Sequence, residues 1–210
     1  AAGLGNPAVR REGGARFLSF DGRAFVPIKG MVFEAAQRIT SLSVEVWFRT
    51  SFRDAGRWWA NWAFVDFGRS QQFNFFVRAD DCRLHVGAPD GVSMDFYEAA
   101  GPPLCDGRWH LATFTLATGG ALSIYRDGAP SPLNRQPHGN VGGGERRYGF
   151  VGTGSEASTY NGARNARRYT GDIGSVRVHA GTLSPREVRH NYVVTRCTYS
   201  SEYSCGDDPW

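Results

Sequence analysis

Short runs in which apolar and polar residues strictly alternate recur along this 210-residue chain and constrain its fold more than any other feature. In Leu42–Thr50, Val44, Val46 and Phe48 share one face while Glu45, Trp47 and Arg49 share the other. Gln72–Arg78 sets Phe73, Phe75 and Val77 against Asn74, Phe76 and Arg78. Trp109–Leu116 sets Ala112, Phe114 and Leu116 against Leu111, Thr113 and Thr115. A period of two is the signature of a strand that buries one face. Similar runs are Arg16–Phe20, Ala24–Ile28, Ala60–Phe67, Arg83–Gly87, Val92–Tyr97, Ala121–Arg126, Tyr148–Gly152 and Ile173–His179. Asp21-Gly22, Asp90-Gly91, Asp106-Gly107 and Asp127-Gly128 border these runs, where glycine accepts the positive φ of a tight turn. Many short strands without helical interludes predict an all-β fold of antiparallel sheets, a sandwich or a barrel.

One helix is expected. Ser184-Pro185-Arg186-Glu187 places a capping serine, a proline at the first helical position and a glutamate three residues after the cap, opening a short helix through about Asn191. With no internal repeat and no long linker, the expected organisation is one domain over 15–195. An N-terminal extension over 1–14 precedes it, and a Cys-bearing tail over 196–210 follows, either a stapled extension or the start of a further module. Hydrophobic residues at 41% and charged residues at 21% exclude wholesale disorder. No apolar run approaches the roughly 18–20 residues of a membrane-spanning helix. Ala1–Gly14 lacks the charged-then-apolar layout of a signal peptide, so secretion implies prior removal of that segment.

Cys82, Cys105, Cys197 and Cys205 allow three pairings. Spacing favours Cys197–Cys205 as a local staple, which leaves Cys82–Cys105 to join two neighbouring segments. No CxxC is present, against a zinc knuckle or a thioredoxin-type site. Two disulfides imply an extracellular or luminal home, a secreted or cell-surface protein; four reduced, buried cysteines in a cytosolic protein are the alternative.

Five landmarks in order resemble a known family. They are Phe20-Asp21-Gly22; Ser43-Val44-Glu45-Val46-Trp47-Phe48; Asp106-Gly107-Arg108-Trp109-His110; Leu122-Ser123-Ile124-Tyr125-Arg126-Asp127-Gly128; and Gly171-Asp172-Ile173-Gly174-Ser175-Val176-Arg177-Val178 followed by Thr182-Leu183-Ser184. The chain resembles the laminin G-like branch of the concanavalin A-like lectin/glucanase superfamily, which includes the pentraxins. The resemblance covers about residues 15–195 and implies a two-sheet jelly-roll sandwich with one curved, concave sheet. That fold hosts lectins, adhesion modules and hydrolases alike, so function has to be argued from sites.

Hydrolases of this fold need paired carboxylates on one strand face, as in ExDxxE. No ExDxxE occurs, Glu45 stands alone between Ser43 and Trp47, and Asp80-Asp81 would point to opposite faces of a strand. Neither a Gly-x-Ser-x-Gly elbow nor a His-Glu-x-x-His motif is present, and His110 falls in a structural landmark. The expectation is a protein that is not an enzyme.

The resemblance also implies calcium at the sandwich rim, on Asp side chains and backbone carbonyls. Asp21 and Asp172 are the principal candidate ligands, with Asp66, Asp90 and Asp95 behind them; Gly174 stands where the family often has an Asp. For sugar binding, Trp58, Trp59 and Trp62 lie too close together for all three to enter one core, so an exposed ring is expected among them. A second candidate surface is a sheet face carrying Glu45, Trp47, Arg49, Asn74, Phe76, Arg78, Ser175, Arg177 and His179, an Arg- and aromatic-lined groove if those strands share the concave sheet.

Charge supplies the third. The chain carries a net charge of +4. Between Asn134 and Arg168, the arginines Arg135, Arg146, Arg147, Arg164, Arg167 and Arg168 face only Glu145 and Glu156, a local surplus equal to that of the whole chain. Such a patch suits sulfated or carboxylated polysaccharide. No basic run tracks a helix as in a nucleic-acid reader, so neither nucleic acid nor membrane insertion is an expected partner. The functional reading is an extracellular recognition or adhesion module for a glycan or an extracellular protein. A structural subunit or domain of a larger assembly is second, and a polysaccharide hydrolase or lyase third.

Overall fold

The computed structural model describes residues 5–28, 41–56, 63–67, 73–89, 94–117, 120–135, 149–154 and 168–205. Thirteen strands and one helix lie among them: β1 (Ala8–Glu12), β2 (Ala15–Asp21), β3 (Val26–Ile28), β4 (Leu42–Arg49), β5 (Val65–Asp66), β6 (Asn74–Val77), β7 (Leu84–Pro89), β8 (Met94–Glu98), β9 (Trp109–Leu116), β10 (Leu122–Arg126), β11 (Ala129–Ser131), β12 (Gly149–Val151), β13 (Thr170–His179) and α1 (Pro185–Tyr199). They build a sandwich of two antiparallel sheets. One has seven strands in the order β1-β2-β13-β4-β9-β10-β11, the other six in the order β3-β12-β5-β6-β7-β8.

The alternating runs explain the core. Val44, Val46 and Phe48 of β4 and Ala112, Phe114 and Leu116 of β9 face inward from the seven-stranded sheet. Phe73, Phe75, Val77, Leu84 and Val86 meet them from the other sheet. Phe73 and Phe75 set their rings 5.2 and 5.1 Å from Phe114, and Phe48 lies 4.4 Å from Phe64. Each such ring withdraws 150–250 Å² from water, roughly 2–3 kcal/mol apiece. Between β9 and β10 on one side and β11 on the other, Asp127 and Gly128 both take positive φ, 51° and 75°, the conformation a two-residue hairpin requires. Cys82–Cys105 and Cys197–Cys205 are the two disulfides, the pairing that spacing favoured.

Three sequence expectations need correction. Asn74, Phe76 and Arg78 belong to or follow β6 of the six-stranded sheet, whereas Glu45, Trp47, Arg49, Ser175, Arg177 and His179 lie on β4 and β13 of the seven-stranded one. The single groove imagined across all nine residues therefore does not form, because alternation assigns a residue to a face but not to a sheet. Residues 1–14 are not wholly an extension: Ala8–Glu12 pairs with Ala15–Ser19 as an edge strand. The helix runs past Asn191 to Tyr199 and so carries the fold beyond residue 195. The strand expected over Ala60–Phe67 is present at Val65–Asp66, with Phe64 and Phe67 also hydrogen-bonded to Phe75 and Phe73; residues 60–62 lie outside the described residues.

Candidate functional site

The outer face of β4 organises the site, because alternation sends Glu45, Trp47 and Arg49 away from the core together. Helix α1 lies across this face. Its capping box is complete, with the Ser184 hydroxyl accepting from Glu187 N–H and the Glu187 carboxylate accepting from Ser184 N–H. Val188 fills the helix–sheet contact, and Asn191 donates to both carboxylate oxygens of Glu45 at 3.1 Å. His179 of β13 completes that carboxylate's shell at 2.9 Å. Trp47 Nε1 donates to Thr195 Oγ1 at 2.9 Å, and the indole stacks on Tyr199 and Tyr192 at 4.6 and 5.9 Å.

Arg49 is the next outward residue. Its Nε donates to Asp172 and its Nη2 to Glu12, at 2.9 and 2.8 Å, while its guanidinium lies 4.9 Å from the Trp109 ring and 5.3 Å from Phe17. The hydrogen bond and charge of Arg49 hold Glu12 below the usual carboxylate range. On one side of Arg49 a cleft of about 540 Å³ opens, within the size range of ligand sites. Its walls are the end of α1 with the loop closed by Cys197–Cys205, the Gly13-Gly14 hairpin turn, and the turn around Gly107-Arg108. On the other side lies a shallower hollow of about 380 Å³ beside Arg10, Arg11 and Ser19.

The cleft floor holds His110, buried between two Asp-Gly turns. Its Nδ1 meets Asp127 at 2.9 Å and its Nε2 meets Asp106 at 3.0 Å. Burial opposes a charged ring, but the hydrogen bonds and charges of Asp127 and then Asp106 outweigh it, and the pKa stands above its ordinary value. Partly exposed aromatic rings (Trp109, Tyr192, Tyr199 and Tyr203) thus meet charged groups at their edges around one cleft. Apolar C–H faces and hydroxyl-rich edges of a sugar are matched by such a combination.

The expected site residues are distributed as follows. Arg49 lines the cleft. Trp47 lies beside it but is only 2% exposed, its faces taken by two tyrosines, so it holds the helix in place rather than offering a platform to a ligand. Arg78 sits at the other sheet, ion-paired with Asp80 and 3.7 Å from Asp81. Arg168 donates to the Arg23 carbonyl, and its Nε is buried without a hydrogen-bond partner. Trp58, Trp59, Trp62, Arg146, Arg147, Arg164 and Arg167 lie outside the described residues.

The two candidate calcium ligands do not form a cage among the described residues. Asp172 is bound by Arg49, and Asp21 accepts from the amides of Arg23 and Ala24, which lower its pKa. Calcium asks for six to eight converging hard oxygens, and a cation at Asp172 would have to displace a guanidinium. The described residues do bring one metal-type trio together, Asp81, His85 and Glu98, but Arg78 and Arg83 already neutralise its carboxylates.

Sequence reasoning missed Tyr192, Arg196, Tyr199 and Tyr203 as site residues. The signal was present: extending the helix past Asn191 places 192, 196 and 199 on one face. It was obscured because the sheet-facing stripe contains Asn191 and Thr195, polar residues whose partners are visible only on the folded sheet.

No curated protein sequence matches the chain. Among solved structures it is similar to the binding domain of Paraclostridial Mosquitocidal Protein 1, with TM-score 0.67 and 8% identity over 89% of this chain and 45% of that one. A Bacteroides ovatus protein assigned, without demonstration, as carbohydrate-binding superposes with TM-score 0.56 and 14% identity, over 80% of this chain and 44% of the other. Botulinum neurotoxin type C, whose cell entry depends on interaction with two ganglioside molecules, gives TM-score 0.52 and 11% identity over 73% of this chain and 35% of that one. The chain spans less than half the length of all three, and at these identities the likeness is one of fold. A laminin G family model matches residues 31–189. With the two-sheet sandwich and the five ordered landmarks all lying on one architecture, the chain belongs to the concanavalin A-like lectin/glucanase superfamily.

Proposed function

We propose that the protein is a non-catalytic, extracellular recognition module that binds a glycan in the cleft between α1 and the seven-stranded sheet. One observation carries this reading: partly exposed rings and charged edges surround a single cleft of about 540 Å³. The fold neighbours support it as well, since one is assigned as carbohydrate-binding and the cell entry of another depends on interaction with two ganglioside molecules. Two disulfides support an oxidising compartment, secreted or at the cell surface. No described helix is long and apolar enough to cross a membrane.

A glycan array tests the reading, run once with calcium and once with a chelator. Binding that survives chelation assigns recognition to the protein's own side chains, and binding lost on chelation restores calcium assistance to the reading. An array with no signal in either condition overturns it in favour of a protein-contact or structural module. Release of reducing ends from polysaccharides would instead show a catalyst.

The basic segment between Asn134 and Arg168 supports an additional, less specific contact with acidic polysaccharide. Neutralising Arg164, Arg167 and Arg168 together is expected to advance elution from a heparin column; unchanged retention removes that contact.

A further inference from the structure

The charges around the cleft are almost all committed. Arg49 is taken by Glu12 and Asp172, Arg108 by Asp106, and His110 by Asp127 and Asp106. Glu202, on the rim, acts on Arg108. Arg196 in the last turn of α1 is different. Its guanidinium lies 4.2 Å from the Tyr203 ring, it lines the cleft, and it has no carboxylate partner among the described residues. Arg189, two turns earlier, lies 5.6 Å from the Tyr192 ring and likewise pairs with no described carboxylate. Among the described residues, Arg196 therefore brings an unpaired positive charge to the cleft, beside rings that can pack against a sugar.

We propose, resting on the glycan-binding reading, that the cleft takes a sugar unit bearing a single carboxylate and that Arg196 is the receptor for that carboxylate. A guanidinium held over an aromatic ring has already lost rotamer freedom and can present two parallel N–H bonds to a planar acceptor. Such a charge-assisted, bidentate pair is stronger and more directional than a contact to a neutral hydroxyl. Among the described residues Arg196 is the one cleft-lining cation without a carboxylate partner, which suits one anionic group. A densely sulfated chain would bring further negative charges against Glu12, Asp127 and Glu202, which line the same cleft. The negative end of the helix dipole stabilises the Arg196 cation, so the ligand's carboxylate belongs on the outer edge of the guanidinium, over Tyr203.

The test is an array of matched oligosaccharides in neutral, uronic-acid and sulfated forms, probed with the wild-type chain, with Arg196→Gln and, as a control at an exposed arginine of the same helix away from the cleft, with Arg186→Gln. The expected result is about a tenfold preference for the uronic-acid form over its neutral counterpart. In Arg196→Gln this preference disappears while neutral binding stays, and Arg186→Gln behaves as wild type. Because neutral binding is read on the same array, a misfolded variant is recognised at once. A preference that survives Arg196→Gln, or that Arg186→Gln removes, overturns the assignment. So does a wild-type preference for the neutral or the sulfated form, which would leave the glycan-binding reading standing. No binding to any form overturns both.

Discussion

Glu45 is 1% exposed, a position at which a lone carboxylate would be costly. It is tolerated because Asn191 and His179 supply three hydrogen bonds from two different elements. Glu45→Ala leaves those half-buried donors unpaired, and it should cost about 2 kcal/mol, read as a lower urea midpoint at unchanged slope. His110 makes a pH prediction. Its folded pKa lies above the unfolded value of about 6.5, so its stabilisation is complete below that pH and fades as pH rises through the folded pKa. The stability difference between wild type and His110→Gln should therefore shrink from pH 6 to pH 9, and a difference independent of pH would show that the imidazolium contributes nothing. At this scale the sequence was informative about direction only. Alternation correctly sent Glu45, Trp47 and Arg49 to the outer face of their strand. It could not say that a helix would cover the first two and leave the third at a cleft, since that depends on partners 120 to 150 residues away.

Helix α1 shows the same division between elements. Its start was legible because a capping box is a local device, completed within four residues. Ser184→Ala should cost about 1 kcal/mol, measured by thermal unfolding. Its end was not legible, because Asn191, Thr195 and Tyr199 dock through hydrogen bonds and ring stacking on Glu45, Trp47 and Trp109 rather than through an apolar stripe. Gly174 makes this close docking possible: a Cβ there would lie 2.2 Å from the Tyr199 ring. Gly174→Ala should push Tyr199 from its place between Trp47 and Trp109 and change the near-UV circular dichroism of the tryptophans. An unchanged spectrum would mean that the ring has room to yield. Two strands were also missed. β1 is exposed on both faces and shows no alternation, and β11 carries Pro130, a residue sheets admit at an edge.

Across the whole molecule, the disulfides hold different things. Cys82–Cys105 is buried and closes a separation of 23 residues, so replacing both cysteines should cost about 3 kcal/mol of global stability. Cys197–Cys205 closes only the loop that walls the cleft. Replacing that pair with serines should weaken glycan binding much more than it lowers the unfolding midpoint. Equal binding by this variant and wild type would place the ligand elsewhere. The sequence alone determined that the chain is built of antiparallel β-strands, which residues face its core and where its helix begins. Those properties follow from periodicities and short motifs whose physics is local. Only the tertiary structure decided which strands share a sheet, which cysteines are joined, that the C-terminal helix and its stapled loop close over β4, and that Arg196 lies over the Tyr203 ring beside a cleft. Each of these depends on groups separated in the chain meeting in space, and no local pattern records which of them will meet.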